Sequence, residues 1–316
     1  MVAGAPGGDS RQALAAGIAC YVLWSGMPLL FLAMTGVGAT SLEIVGQRAM
    51  WSAPWAILLV VLAGQHGEAI AAFRKPRVLG WLTLSTALLT GNWLVFVWAS
   101  THGHNIDASL GYFIIPLINM AVGAVFYREK ISRLAVAAMV LAVIGVVLQI
   151  LIVGHIPWIG LALAFCFGGY GLVRKHVAIN AQAGLLVESL IIAVPGAAYC
   201  LWLYVSGTGV FGRGVSASLL LAAAGPATVI PLALFAWAAR RLPLASLGFL
   251  QFIGPTTGFG IGLALGESFH ASQLLSFSFI WAGVAAFIWE AFIDRRGQAQ
   301  AMRLIRTPVP AKRRAI

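Results

Sequence analysis

Residues 133–153 read RLAVAAMVLAVIGVVLQILIV, with a single charge at the first position and none after it. About 20 apolar residues are what a helix needs to cross a hydrocarbon core of about 30 Å. Nine further runs of this kind lie near 12–33, 43–63, 78–99, 108–127, 157–173, 184–205, 217–239, 244–266 and 273–293. The whole chain of 316 residues is 60% hydrophobic and only 9% charged, with a mean hydropathy of +0.93. Soluble domains run near 25% charged, so a soluble enzyme is excluded. The loops and tails are too short to form a separate water-soluble domain. The first run is too long for a signal-peptide core and lacks a clear cleavage box, so it reads as an uncleaved helix. The expected fold class is an all-α integral membrane protein of ten transmembrane helices.

Basic residues settle the expected orientation. With the N-terminus inside, the inner segments hold Arg11; Arg74, Lys75 and Arg77; Arg128, Lys130 and Arg133; Arg174 and Lys175; Arg240 and Arg241; and every cation of the tail. Outside there is only Arg213, and Arg48 lies within a span. Cytoplasmic segments of membrane proteins carry such an excess. A missed or invented helix would scramble the split, so ten helices with both ends cytoplasmic is the expectation. The same rule accounts for the sequence pI of about 10.3 without nucleic acid as a partner. Cys20, Cys166 and Cys200 sit inside apolar runs, with neither metal spacing nor a disulfide framework. No cofactor is expected. The basic tail, 294–316, is expected to lie flexibly near anionic headgroups.

An internal repeat follows. Ser109-Leu110-Gly111-Tyr112-Phe113 reappears as Ser246-Leu247-Gly248-Phe249-Leu250, followed by Pro116 and Pro255 respectively. Phe96-Val97-Trp98-Ala99 is echoed by Phe235-Ala236-Trp237-Ala238. The expected organisation is a short cytoplasmic tail (1–11, read as disordered), a five-helix half (12–153), a second half (157–293) and the tail. Because five is odd, the second half enters the membrane inverted. Inverted repeats that place a site between them near the midplane are characteristic of secondary transporters.

Several segments resemble one family. Glu43-Ile44-Val45-Gly46-Gln47-Arg48-Ala49-Met50-Trp51-Ser52 resembles the second-helix signature of RarD-type permeases. Asn92-Trp93, the Trp98 segment, His102-Gly103-His104 and Ala108-Ser109-Leu110-Gly111-Tyr112-Phe113 are similar to its third and fourth helices. Leu247-Gly248-Phe249-Leu250-Gln251-Phe252-Ile253-Gly254-Pro255 resembles its ninth. The group belongs to the EamA branch of the drug/metabolite transporter superfamily. The likeness spans roughly 12–293 and implies a ten-helix inner-membrane permease that exports small metabolites or drugs. One departure is Ile115 before Pro116, where the resemblance implies a polar Asn.

Charges within lipid are costly, about 2.5–3.5 kcal/mol for an Arg at a helix centre on insertion scales. Arg48 is expected about 9 Å down its helix, where it either attracts a carboxylate or phosphate of a substrate or snorkels to the headgroups. Glu43 either caps that helix or lines the pathway; the spacing gives no direct bridge to Arg48. Glu188 is read as facing the cavity or a proton path, or else as an interfacial carboxylate. It stands seven residues before Pro195, much as Arg48 stands six before Pro54, and the two charges are expected at different depths. Asn92, Trp93, Asn119 and Gln251 are candidates for cavity lining, the amides alternatively for interhelical hydrogen bonds. Tyr112 offers a hydroxyl and a ring to a substrate, or serves as a belt residue. Gly254, Gly258, Gly262 and Gly266 read as a stripe permitting close helix packing.

Three patterns carry weaker signals. His102 and Asp107 have a spacing that could serve acyl transfer, which keeps an intramembrane acyl- or lipid-modifying enzyme as the alternative function. Gly207, Gly209 and Gly212 fit G-x-G-x-x-G, but without the strand–helix setting that binds dinucleotides. His102 and His104, in an outer loop, read as loop filling rather than as a metal or pH site. A passive channel would need rings of like groups, which the sequence lacks. The expected partners are a small-molecule substrate, protons as coupling ion, and lipids; the sequence does not indicate an oligomeric state.

Overall fold

The computed structural model describes residues 7–115, 133–153, 156–239, 250, 253–268, 274–283, 285–286 and 289, and all regular structure among them is helical. In chain order the helices are α1 (Gly7–Ser25), α2 (Met27–Gly36), α3 (Ser41–Leu62), α4 (His66–Phe73), α5 (Pro76–Thr101) and α6 (105–115). They continue as α7 (Arg133–Val153), α8 (Trp158–His176), α9 (Ala181–Val205), α10 (Val215–Ala222), α11 (Ala224–Ala239), α12 (Ile253–Ala264) and α13 (Leu274–Gly283). Five stretches among the described residues are long and apolar enough to cross a membrane: Gln12–Gly36, Ser41–Leu62, Pro76–Thr101, Ala181–Val205 and Val215–Phe235. Shorter apolar helices follow at Met139–Leu148, Trp158–Arg174 and Leu274–Gly283. Large apolar side chains such as Leu62, Val194, Leu201, Val205 and Leu219 point outward, as they do when lipid is the solvent.

Local chemistry sets the helix ends. Thr40 caps α3 by accepting the Glu43 N–H at 3.1 Å. Pro76 opens α5, where a missing N–H costs nothing. At the far end of α3, Gly64 N–H donates to Val61 and Gln65 N–H to Val60. At the far end of α9, Gly207 donates to Tyr204 and Thr208 to Leu203 in the same pattern. Gly64 and Gly207 have φ of +67° and +66°, the left-handed closure that glycine permits.

Several boundaries differ from the sequence reading. The first helix starts at Gly7, inside the segment read as disordered, and breaks at Gly26 before Pro28. The run at 217–239 divides at Ala223, ahead of Gly225-Pro226. The connector after α3 folds into α4, whose Ala69 and Ala72 pack inward. The glycine stripe is only partly a packing face: Gly258 and Gly262 meet Ser109 and Ile106, Gly254 meets nothing within 4 Å among the described residues, and Gly266 turns the chain at φ +79°.

α3 and α9 run antiparallel and cross closely. A Cβ on Gly196 would stand 2.9 Å from Ala49 Cβ and 3.0 Å from Gly46 O. α5 packs on α8, α1 on α11, and α3 on α11. One apolar cluster, with Phe31, Ile44, Val97 and Leu221, closes the bundle toward the start of α3. A second, with Val60, Leu82, Val173 and Val187, closes it toward the end of α3. Between them lies the polar middle of α3, α5 and α9.

Candidate functional site between the apolar clusters

Arg48 is 6% exposed and sits about a third of the way along α3. Its Nε donates to Thr228 Oγ1 on α11 at 2.8 Å. Its guanidinium lies 4.1 Å from the Trp93 ring centroid and 5.9 Å from that of Phe31. Nη1 is buried and has no hydrogen-bond partner among the described residues. The side chain thus turns into the bundle rather than toward the end of its helix.

Glu188 on α9 is 1% exposed. Ser85 Oγ donates to its Oε1 at 2.5 Å and Tyr170 OH to its Oε2 at 3.4 Å. Arg174 Nε stands 3.7 Å from Oε1. Ser85 marks the Glu188 level on α5, and Trp93 marks the Arg48 level on the same helix. Eight residues at 1.5 Å each separate the two charges by roughly 12 Å along the axis.

A narrow cavity of about 10 Å³, room for about one water, joins these levels. Thr86, Thr90 and Trp93 of α5, Glu188 and Ile192 of α9, and Thr228 of α11 are among its walls. It therefore touches Glu188 directly, and it touches Arg48 through the two side chains that hold its guanidinium.

Of the other candidates, Tyr112 and Asn92 stand near Arg48 without lining the cavity, and Glu43 lies apart from it. Tyr112 OH donates to Asn92 Oδ1 at 3.2 Å, and Asn92 Nδ2 donates to Leu163 O at 3.3 Å. The pair ties α5, α6 and α8 together. Glu43, 2% exposed, accepts the N–H groups of Val210 at 2.7 Å and Phe211 at 3.1 Å through Oε1. The G-x-G-x-x-G stretch thus cradles an anion, and that anion is a side chain of the same protein. Asn119 and Gln251 lie outside the described residues. His102 Nδ1 bonds Trp98 O, and Asp107 pairs with His104 at 3.2 Å, so the acyl-transfer spacing makes no dyad. No cluster of three metal-ligating side chains occurs among the described residues.

Sequence reasoning passed over Arg174, counted as a cytoplasmic-segment cation, and the hydroxyls of Ser85, Tyr170 and Thr228. Only Tyr170 and Arg174, four residues apart at the end of an apolar run, offered a signal.

The chain is 39% identical to Protein RarD of Salmonella typhi over 290 residues, covering 91% of this chain and 98% of that one. It is 38% identical to Protein RarD of Escherichia coli (strain K12), covering 91% and 97%. It is also 38% identical to a protein of Vibrio cholerae named an uncharacterized transporter, covering 88% and 92%. A solved crystal structure of a protein 16% identical in sequence superposes with a TM-score of 0.57, covering 89% and 98%, and shares the fold. No protein-family model matches. Fold, outward apolar surface and relatives together define a multi-pass membrane transporter. The chain belongs to the RarD family of permeases.

Proposed function

We propose that this permease is a secondary transporter that exports small metabolites or drugs across the inner membrane by alternating access, with protons as the coupling ion. The observation that carries the reading is the cavity between Arg48 and Glu188, walled by α5, α9 and α11. Those helices come from both proposed halves, 12–153 and 157–293. The packing supports the inverted repeat, because exchanging the halves turns the α3–α9 pair into itself and the α5–α8 pair into the α11–α1 pair. In the ten-helix reading, with both termini cytoplasmic, the α4 end of the bundle is the inner one. The resemblance to the EamA branch points the same way.

Rocking of the halves about the α3–α9 crossing opens the cavity to each side in turn. Glu188 takes the proton, and Arg48 selects the charge of the passenger. The alternative, a lipid-modifying enzyme, loses its motive because His102 does not meet Asp107. The test is efflux from proteoliposomes over a substrate panel, with and without an imposed pH gradient. Gradient-driven flux that Glu188→Gln uncouples is expected; the absence of flux for every solute under every gradient overturns the reading.

A further inference from the structure

The two buried charges keep unequal company. Glu188 already has a cation beside it, Arg174 Nε at 3.7 Å, and two hydroxyl donors from Ser85 and Tyr170. Arg48 has no carboxylate partner among the described residues, and its Nη1 is buried with no acceptor. A lone cation in apolar surroundings is expensive, and such residues persist within membranes where a ligand or ion meets them. The uncompensated charge of the central cavity is therefore positive.

The surroundings say what else the ligand needs. The guanidinium face rests on Trp93, which is also a wall of the cavity. Leu89, Ile192 and Leu232 complete that wall with apolar surface. The Nε donor is held only by the Thr228 hydroxyl, a neutral acceptor that a carboxylate outcompetes, since charge-assisted bonds are the stronger ones. The orphaned Nη1 lies on the end-on edge of the planar guanidinium, and the paired Nη1 and Nη2 donors of that edge match the two oxygens of a carboxylate.

We infer that the site takes small organic monoanions, a carboxylate on an apolar or aromatic body, with the carboxylate on Arg48 and the body against Trp93 and Ile192. Cations are disfavoured because the carboxylate that would receive them is engaged by Arg174. Phosphate dianions exceed the single uncompensated charge. The inference rests on the transporter reading only for the ligand being a passenger; binding itself does not require it.

The test is binding to the purified full-length protein in detergent, by calorimetry, with three probes on one skeleton: 3-phenylpropanoate, 3-phenylpropanamide and 3-phenylpropylamine. The carboxylate is expected to bind about tenfold or more tightly than the other two. Arg48→Gln should erase that preference. Should Arg48→Gln not fold, Arg48→Lys carries the test, weakening the carboxylate about tenfold and leaving the amide unchanged. Equal or tighter binding of the amine or amide, no binding of any probe, or carboxylate binding indifferent to both substitutions overturns the inference. Vesicle flux separates the two claims. Arg48-dependent binding without flux sinks the transporter reading alone, whereas flux with charge-blind binding sinks this one alone.

Discussion

Arg174 Nε lies 3.7 Å from Glu188 Oε1, although the two residues stand on different helices and Arg174 is 16% exposed. Removing one member of a buried pair typically costs about 3–5 kcal/mol because the other is left unpaired. Here the contact is long and one partner is partly open, so about 1–3 kcal/mol is expected for Arg174→Gln. We predict that Arg174→Gln and Glu188→Gln each lower the melting temperature in detergent, and that the double variant loses less than the sum. Strictly additive losses would show that the pair is not coupled.

Glu43 is predicted to be a structural anion. Glu43→Ala strands two N–H groups at Val210 and Phe211, at about 1–3 kcal/mol for a buried unmet donor. Glu43→Gln keeps an acceptor and should recover more than half of that loss in thermal melts. Full stability of Glu43→Ala would remove this role.

The α3–α9 crossing depends on the absence of side chains. Gly196→Val places atoms within 3 Å of Ala49 and Gly46, so overpacking should destabilise by roughly 1–3 kcal/mol. Among the described residues, nothing lies within 4 Å of a Cβ built on Gly80 in α5, and Gly80→Ala should stabilise by about 0.5–1 kcal/mol. The two substitutions moving in the same direction would contradict this packing.

Orientation is checked by labelling. In a background without Cys20, Cys166 and Cys200, a cysteine at Arg213 should react with an impermeant maleimide added outside intact cells. A cysteine at His66 should react only after the membrane is opened. The reverse pattern would overturn the proposed topology.

Much of the frame was legible because lipid imposes it: every backbone group must be satisfied within a helix, so apolar length reads directly as spans. The described spans fall where the apolar runs lie. Arg48 and Glu188 stood out because a charge in such a run is rare. Their surroundings did not, because Thr228 lies 180 residues from Arg48 and Ser85 lies 103 from Glu188. Arg174 was hidden by a true regularity, since a cation at a helix end fits the charge bias whether or not it also reaches inward. The break at Gly26 was foreshadowed by Pro28, but glycine and proline also occur in unbroken spans, as Pro54 and Pro195 do here.

Sheltered Glu43 grips Val210 and Phe211 at one mouth of the bundle, and at the other the Glu68 carboxylate grips Asn180 N–H at 3.0 Å in an exposed position. Water replaces lost partners readily at the second mouth and poorly at the first. The empty protein should therefore gape more often on the α4 side. Spin labels at the exposed His66 and Ala178 should then report a broader spread of separations than labels across Ser41 and Arg213, and equal spreads would mean that neither mouth is favoured.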